Sequence, residues 1–196
     1  FVENERTTRR FLKQFWRTVR PGEEISIDAF EWFVIGDDTK ESFRNCLKAG
    51  KNIGIVSEAG CPGVADPGQA LVAIAHEAGA KVKPLVGPSS ILLALMASGM
   101  NGQQFYFRGY LPIDIQQRTK QLKELEQHAA RNQCTQVFIE TPYRNNQLLE
   151  TILKTCAPQT RLCIAADITG SKEQVITRTI AGWKKQVPDL HKKPVI

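Results

Sequence analysis

The 196-residue chain is 42% hydrophobic and 23% charged, proportions that exclude a disordered or low-complexity protein. Its longest apolar run, residues 91–97, is far shorter than the roughly 20 residues that span a bilayer, so we expect no membrane insertion. The net charge of +6 favours ligands that carry phosphate, but a mildly basic surface without such a ligand fits equally well.

The chain has five cysteines, an odd number, and none of them forms a C-x-x-C pair: Cys46, Cys61, Cys134, Cys156 and Cys163. This pattern favours reduced, buried thiols in a cytoplasmic protein over a disulfide framework or a zinc site. The chain begins at Phe1 and ends at Ile196 within stretches typical of strands. We therefore expect further segments at both ends, including a first strand of the sheet.

The first predicted element is an amphipathic helix over residues 5–20, which Pro21-Gly22 ends. One face is apolar and is expected to be buried: Phe11, Leu12, Phe15, Trp16 and Val19. A stripe of cations follows another face: Arg6, Arg9, Arg10, Lys13, Arg17 and Arg20. Because aligned like charges repel each other, folding alone does not require this stripe, and we favour a polyanion-binding surface over a merely solvated face.

The next elements alternate between helix and strand. We predict a helix over residues 40–49, a buried strand over 53–56 and a loop over 57–68. A helix over 70–78 follows, with Leu71, Ile74 and Ala75 on one face, then a strand over 82–86, a turn over 87–90 and an apolar helix over 91–97. This alternation predicts an α/β unit with a mostly parallel sheet.

The second half has its own pattern. Strands are predicted over residues 105–107, 135–139, 161–168 and 175–180, the last antiparallel, which makes a mixed sheet. A polar helix over 116–131 has Leu122 and Leu125 as anchors, and a second helix over 143–156 is expected to pack through Leu148, Leu149, Ile152 and Leu153. The sequence therefore predicts two α/β lobes, residues 1–102 and 103–196, with a ligand cleft between them.

The strongest local signal is the loop over residues 57–68, in which Gly60, Gly63 and Gly68 permit unusual dihedrals and a close approach of ligand to backbone. Glu58 and Asp66 are candidate acceptors for a ribose or an amine. A tight connection with Asp66 as a helix cap is the alternative. The loop matches neither the P-loop nor the G-x-G-x-x-G motif.

Two further segments are candidates for binding. The turn Gly87-Pro88-Ser89-Ser90 presents hydroxyls and amides at a helix start, which suits a carboxylate or phosphate, although a plain serine cap is equally compatible. Residues 140–144 place Glu, Thr, Tyr and Arg at a strand end, but taken alone they favour a surface turn. The three histidines lie outside these loops, which argues against a histidine-based hydrolase or metal site.

The residues 57–68 resemble the S-D-A-G-T-P-G-I-S-D-P-G motif of the tetrapyrrole methylase superfamily, in its branch of 16S ribosomal RNA ribose methyltransferases. Other segments resemble that branch's motifs in the same order: residues 3–9 (E-D-T-R-x-T-R), 85–90 (I-P-G-P-S-A), 97–99 (within S-A-S-G-L), 107–112 (F-x-G-F-L-P) and 140–144 (E-S-P-H-R). The resemblance extends over nearly the whole chain.

The resemblance implies a two-lobed α/β methyltransferase that forms a homodimer, needs no metal and holds S-adenosylmethionine in the cleft between its lobes. It implies cofactor contacts, mostly through backbone, at Glu58, Ala59, Gly60, Cys61, Ser89, Ser90, Ile139, Glu140, Thr141, Ala166 and Ile168. For RNA binding, it implies contacts with the RNA backbone at Arg6, Arg9, Arg10 and Arg108. The candidates for a catalytic base remain Glu3, Glu58 and Glu140.

The sequence thus predicts an S-adenosylmethionine-dependent enzyme that methylates a ribose 2′-hydroxyl of small-subunit ribosomal RNA. Two alternatives stay open. One is a methylase that acts on a small-molecule acceptor such as a tetrapyrrole, and the other is a paralogue that binds RNA or nucleotide without catalysis.

Overall fold

The computed structural model describes residues 1–58 and 60–196. The chain divides into two compact units, Phe1–Pro88 and Ser89–Ile196. This division precedes the predicted lobe boundary at residues 102 and 103. The difference comes from helix α4 (Ser90–Ser98), which contacts the strands of the second unit and is therefore counted with them.

The described residues of the first unit form three helices and a short 3-10 turn: α1 (Glu5–Val19), α2 (Thr39–Lys48), α3 (Gln69–Glu77) and the turn Ile27–Ala29. Its core consists of Phe1, Phe43, Cys46, Leu71, Ile74 and Ala75. The ring of Phe1 stacks on Phe33 with 4.6 Å between the ring centroids. The predicted buried face of α3 is confirmed, because its three apolar side chains all lie in this core.

Among the described residues of the first unit, sheet structure consists of isolated parallel bridges from Val2 to Val34 and to Val56. The predicted strand over residues 53–56 is thus reduced to one bridge. The predicted strand over residues 82–86 is not formed, and Leu85 and Val86 are 84% and 107% exposed. Apolar residues form a buried parallel strand only beside a hydrogen-bonding neighbour, and no described residue of this unit pairs with the segment.

Helix α1 begins and ends almost where the sequence predicts. Asn4 caps it by accepting a hydrogen bond from the Thr7 amide at 3.3 Å. The expectation that its apolar face is buried was wrong for Phe11 and Phe15, which are 57% and 50% exposed. Thr8 is buried, and Leu12 and Trp16 are half-buried. The helix therefore packs through a narrower face than its periodicity predicts.

The second unit has two pairs of strands. β1 (Phe105–Tyr110) and β2 (Thr135–Ile139) are parallel, whereas β3 (Arg161–Ala166) and β4 (Gln174–Thr179) are antiparallel. Val195 bridges antiparallel to Glu140 and to Ala166, so the end of the chain lies between β2 and β3. The mixed sheet predicted for the second half is therefore confirmed.

Helices α5 (Ile115–Asn132), α6 (Asn145–Thr155) and α7 (Ile180–Lys185) complete the second unit. Its core consists of Leu111, Leu122, Leu125, Leu148, Leu149, Ile152, Leu153, Ile164, Ile180, Trp183 and Leu190. The anchors predicted for both long helices are all among them. α5 also buries Arg118 completely, and this guanidinium donates hydrogen bonds to the Thr151 hydroxyl at 3.0 Å and the Ile113 carbonyl at 3.3 Å.

Candidate functional site

The loop over residues 57–68 follows the bridge at Val56 and leads into α3. Its glycines adopt the left-handed backbone that the sequence predicts, with φ of +86° at Gly60, +81° at Gly63 and +125° at Gly68. Glycine is favoured there by its conformation, and a Cβ on Gly68 would also lie 3.3 Å from the Ile55 Cγ2 atom, close enough that the Ile55 side chain would have to shift. Ala59 lies outside the described residues.

The acidic side chains of this region converge. The Glu3 carboxylate accepts a hydrogen bond from the Glu58 amide at 2.8 Å, and the Glu58 carboxylate accepts one from the Thr7 hydroxyl. Burial, followed by the charge of Glu3, raises the pKa of the Asp66 carboxyl. Two of the three predicted base candidates, Glu3 and Glu58, therefore lie together, with Asp66 in the same electrostatic environment.

Asp66 does not have the capping role that the sequence left open, because Gly68 occupies the N-cap position of α3. Ser57, at the start of the loop, was not among the candidate site residues predicted from the sequence. Its hydroxyl oxygen is buried and has no hydrogen-bond partner among the described residues. Such an atom requires a water or a ligand. Its place, directly after a strand-like segment, was the available signal.

The turn over residues 87–90 has two residues in each unit. In the first unit, the Cys61 thiol donates a hydrogen bond to the Pro88 carbonyl with 3.7 Å between sulfur and oxygen. In the second unit, Ser89 occupies the N-cap position of α4, but its side chain makes no capping hydrogen bond. The plain serine cap is thus not formed, and the amides at the start of α4 are left for another acceptor.

The end of β2 contains a buried ion pair. One carboxylate oxygen of Glu140 accepts hydrogen bonds from the Arg144 guanidinium at 2.6 and 2.9 Å, and from the Thr141 amide at 2.6 Å. The other oxygen, Oε2, is buried without a partner among the described residues. Tyr143 is 72% exposed beside this pair. The segment is therefore more than the surface turn that its residues alone favoured.

The end of β3 has an unusual backbone. Ala166 is buried, while Asp167 and Thr169 adopt positive φ values of 52° and 66°, which non-glycine residues rarely do. The Asp167 amide donates to the Pro194 carbonyl at 3.0 Å, and its carboxylate accepts from the Lys172 amide at 2.9 Å. These bonds hold the residues around Ile168 in one conformation, as binding loops often require.

The arginines predicted to bind RNA have different surroundings. Arg9 bonds to Glu5 at 3.0 Å, pairs with Asp28 and lies over the Trp32 ring, 5.3 Å from its centroid. Arg6 and Arg10 are exposed. Arg108, in the second unit, donates to the Gln136 side chain at 2.7 Å and lies over the ring of Tyr106.

A basic groove of about 440 Å³ lies along α1 and is lined by Arg9, Arg10, Lys13, Gln14, Arg17 and Ile27. Lys13 and Arg17 belong to the predicted cationic stripe, but the resemblance did not single them out for RNA. Their helical spacing from Arg10 was the signal that placed them on one face.

The five cysteines are free thiols. Burial raises the pKa of the Cys156 thiol to about 11, and burial also raises the pKa of Cys163, so both are poor nucleophiles. Within residues 1–58 and 60–196, no group of three His, Cys, Asp or Glu side chains is arranged to hold a metal ion. Along the same residues, none of the helices combines the length and apolarity needed to cross a membrane.

Residues 4–182 match the sequence profile of a family described as Tetrapyrrole (Corrin/Porphyrin) Methylases. The Ribosomal RNA small subunit methyltransferase I of Vibrio cholerae serotype O1 is 35% identical over 175 residues, which are 89% of this chain and 57% of the relative. The protein of that name from Bacillus subtilis is 34% identical over 143 residues, or 71% and 47% of the two chains. The chain thus spans about half the length of these relatives.

Among solved structures, the chain is similar to the methyltransferase CobJ with a TM-score of 0.52 and 20% sequence identity. The match covers 80% of this chain and 69% of CobJ. At this level of identity the likeness concerns the fold alone. It confirms the predicted α/β fold of the tetrapyrrole methylase type.

Proposed function

Because the chain belongs to the tetrapyrrole (corrin/porphyrin) methylase family, we propose that it transfers a methyl group from S-adenosylmethionine to a ribose 2′-hydroxyl of small-subunit ribosomal RNA. The relatives named above are small-subunit ribosomal RNA methyltransferases. The observation that carries the proposal is that two buried oxygens, Ser57 Oγ in the first unit and Glu140 Oε2 in the second, have no hydrogen-bond partner among the described residues. Each lies within or next to a segment implicated in cofactor binding.

The residues of each unit fit the polar groups of S-adenosylmethionine. In the first unit, Glu58, Gly60 and Cys61 offer a carboxylate and an exposed backbone for the ribose hydroxyls or the ammonium group; Ala59 is proposed with them. In the second unit, Ser89 and Ser90 offer amides and hydroxyls at the start of α4. The strand ends contribute mainly backbone groups: Ile139, Glu140, Thr141, Ala166 and Ile168. The cofactor itself supplies an electrophilic methyl group on its sulfonium.

The protein's part in the reaction is to position the acceptor oxygen in line with that methyl group and to remove the hydroxyl proton. Glu140 is poorly suited to proton removal, because its carboxylate is buried and Arg144 binds one of its oxygens. Glu3 and Glu58 are exposed and adjacent. We therefore propose that the base is one of these two carboxylates, with the nearby Asp66 keeping the local potential negative.

The basic groove along α1 suits an extended polyanion such as RNA. The names of the relatives favour RNA over a small-molecule acceptor, and the converging acids around Glu3 favour an enzyme over a non-catalytic paralogue. Arg6, Arg10 and Arg108 are proposed to contact the RNA backbone, while Arg9 holds α1 through its bonds to Glu5 and Asp28. A cytoplasmic homodimer is part of the proposal, supported by the free thiols and by the resemblance.

The test begins with isothermal titration of the protein with S-adenosylmethionine. Tritiated methyl transfer to small ribosomal subunits that lack this modification follows, and digestion of the product to nucleosides locates the label. Binding with label on a ribose supports the proposal. Binding without transfer to RNA redirects the search to small-molecule acceptors, and the absence of any binding favours the non-catalytic paralogue.

A further inference from the structure

The turn that follows β2 has an exposed aromatic ring that the proposed function does not use. Tyr143 is 72% exposed, and its ring lies at an angle of 71° to that of His191, with 6.0 Å between the ring centroids. Because the two rings meet edge to face and the phenol is mostly in solvent, a flat aromatic face remains open. Nucleobases stack on open aromatic faces of this kind, whatever the base.

The segment that carries His191 is fixed by the start of α6. The buried Asn145 side chain donates hydrogen bonds to the carbonyls of Leu190 at 3.3 Å and Lys193 at 2.8 Å. The side-chain oxygen of Asn146 accepts a hydrogen bond from the Leu190 amide at 2.8 Å. The two rings are therefore held in place before any ligand arrives, which lowers the entropic cost of binding one.

Lys192 places a cation in the same turn. Its amide donates to the Pro142 carbonyl at 2.9 Å, and its φ of +58° is uncommon for a residue with a side chain. Such conformations cluster at ligand sites. Lys192 is exposed, and the ion pairs between described residues use other cations. The nearby Asp189 carboxylate already accepts hydrogen bonds from the Asn146 side chain and the His191 amide.

The position of this ring in the second unit matches that of a methyl acceptor. Tyr143 follows Glu140 and Thr141, which the proposed function assigns to cofactor binding at the carboxyl end of β2. Ligands of α/β proteins collect beyond such strand ends. Since the acceptor oxygen must come within roughly 3–3.5 Å of the methyl group, the acceptor has to bind next to residues that hold the cofactor.

We propose that Tyr143, His191 and Lys192 form the subsite for the acceptor nucleotide. Its base stacks on the open face of Tyr143, His191 supports that ring at its edge, and Lys192 binds an adjoining phosphate. This proposal rests on the proposed function, since it takes the substrate to be RNA, and it adds the residues that bind the methylated nucleotide. A cation beside an open ring complements a nucleotide better than a protein surface.

The first test titrates the protein with 2-aminopurine riboside 5′-monophosphate, whose fluorescence is quenched when its base stacks on an aromatic ring. The wild type and Tyr143→Phe should show saturable quenching, whereas Tyr143→Leu should bind at least about fivefold more weakly. Phe105→Leu, which removes an exposed ring at the amino end of β1, is the control and should bind like the wild type. Equal affinities in the two leucine variants would overturn the proposal.

The second test concerns the phosphate. Lys192→Gln should weaken binding of the monophosphate about threefold and leave binding of the riboside without phosphate unchanged, because an exposed ion pair contributes only modestly. Lys185→Gln, at an exposed position on α7, should leave both affinities unchanged. Equal losses for the two ligands in Lys192→Gln would show that Lys192 does not contact the phosphate and would overturn its assignment.

The third test uses the reaction. Tyr143→Leu should raise the KM for small ribosomal subunits that lack the modification, while the Kd for S-adenosylmethionine stays at the wild-type value. Loss of cofactor binding in this variant would assign Tyr143 to the cofactor site instead. A changed sedimentation coefficient would assign the ring to a contact between subunits. Either result would overturn the proposal.

The subsite and the proposed function fail in different ways. Methyl transfer to RNA by the wild type, together with a KM and a probe affinity that ignore the change at Tyr143, would leave the function standing and reject the subsite. Probe binding that requires Tyr143, without methyl transfer to RNA, would support a nucleotide subsite and reject the function.

Discussion

Asp66 is half-buried in the loop that precedes α3, and burial together with the charge of Glu3 raises the pKa of its carboxyl. The folded protein therefore binds a proton at Asp66 more tightly than the unfolded chain does. As pH rises from the ordinary carboxyl pKa, about 3.9, through the raised value, the folded state loses stability relative to the unfolded state.

We expect Asp66→Asn to raise the melting temperature at neutral pH and to have little effect at about pH 3, where the aspartate is protonated in both states. Asp37→Asn, a change at an exposed aspartate in the same unit, is the control and should show no such pH dependence. Thermal melts of the three proteins over this pH range make the comparison. A benefit that grows as pH falls would contradict the raised pKa.

The ion pair between Glu140 and Arg144 is a second case in which individual side chains affect stability. The Glu140 side chain is buried, while that of Arg144 remains 25% exposed. Glu140→Gln should lower the free energy of unfolding by about 2 kcal/mol. This is less than the roughly 3–5 kcal/mol that breaking a fully buried ion pair costs, because water still reaches Arg144. Denaturant titration of Glu140→Gln, Arg144→Met and the double variant gives the coupling energy. Strict additivity would show that the pair contributes nothing.

At the scale of elements, the loop over residues 57–68 depends on the conformation of its last glycine. Gly68 has a φ of +125°, and it is also the N-cap residue of α3. An added Cβ would lie 3.3 Å from the Ile55 side chain, which would have to shift. Strain here affects both the loop and the start of the helix. The conformation of Gly68 therefore fixes the end of the loop and the start of the helix together.

Gly68→Ala should lower the free energy of unfolding by about 1–3 kcal/mol, the usual cost of forcing a non-glycine residue into such a conformation. Gly87→Ala is the matched control, because Gly87 has no atom within 4 Å of an added Cβ. Chemical denaturation monitored by circular dichroism compares the two variants. Equal stabilities would show that the loop relaxes at no cost.

For the whole molecule, a ligand that binds only the folded state raises stability by an amount that depends on its concentration relative to its Kd. S-adenosylmethionine at about a hundredfold excess over its Kd should add about 2.7 kcal/mol to the free energy of unfolding. We expect Ser89→Trp to abolish this thermal shift, because an indole there covers the first amides of α4. Gln127→Trp, at an exposed position on α5, should retain the shift.

Much of this protein could be predicted from local sequence. The bounds of α1 and the anchors Leu122 and Leu125 follow from helical periodicity and capping, which act over a few residues. The positive φ values in the loop at Gly60 and Gly63 follow from glycine itself. The family could also be recognised from the sequence, because each motif is a short contiguous segment and the motifs follow one another in the family's order.

Tertiary structure alone decided the remaining features, because each depends on residues that are far apart in the chain. Residues 82–86 have the composition of a strand, yet without a described pairing neighbour they stay exposed. Periodicity marked Phe11 and Phe15 as core, but the packing of α1 leaves them in solvent. Helical periodicity defines which residues share a face, whereas contacts with distant segments determine which face is buried and which remains open to a ligand.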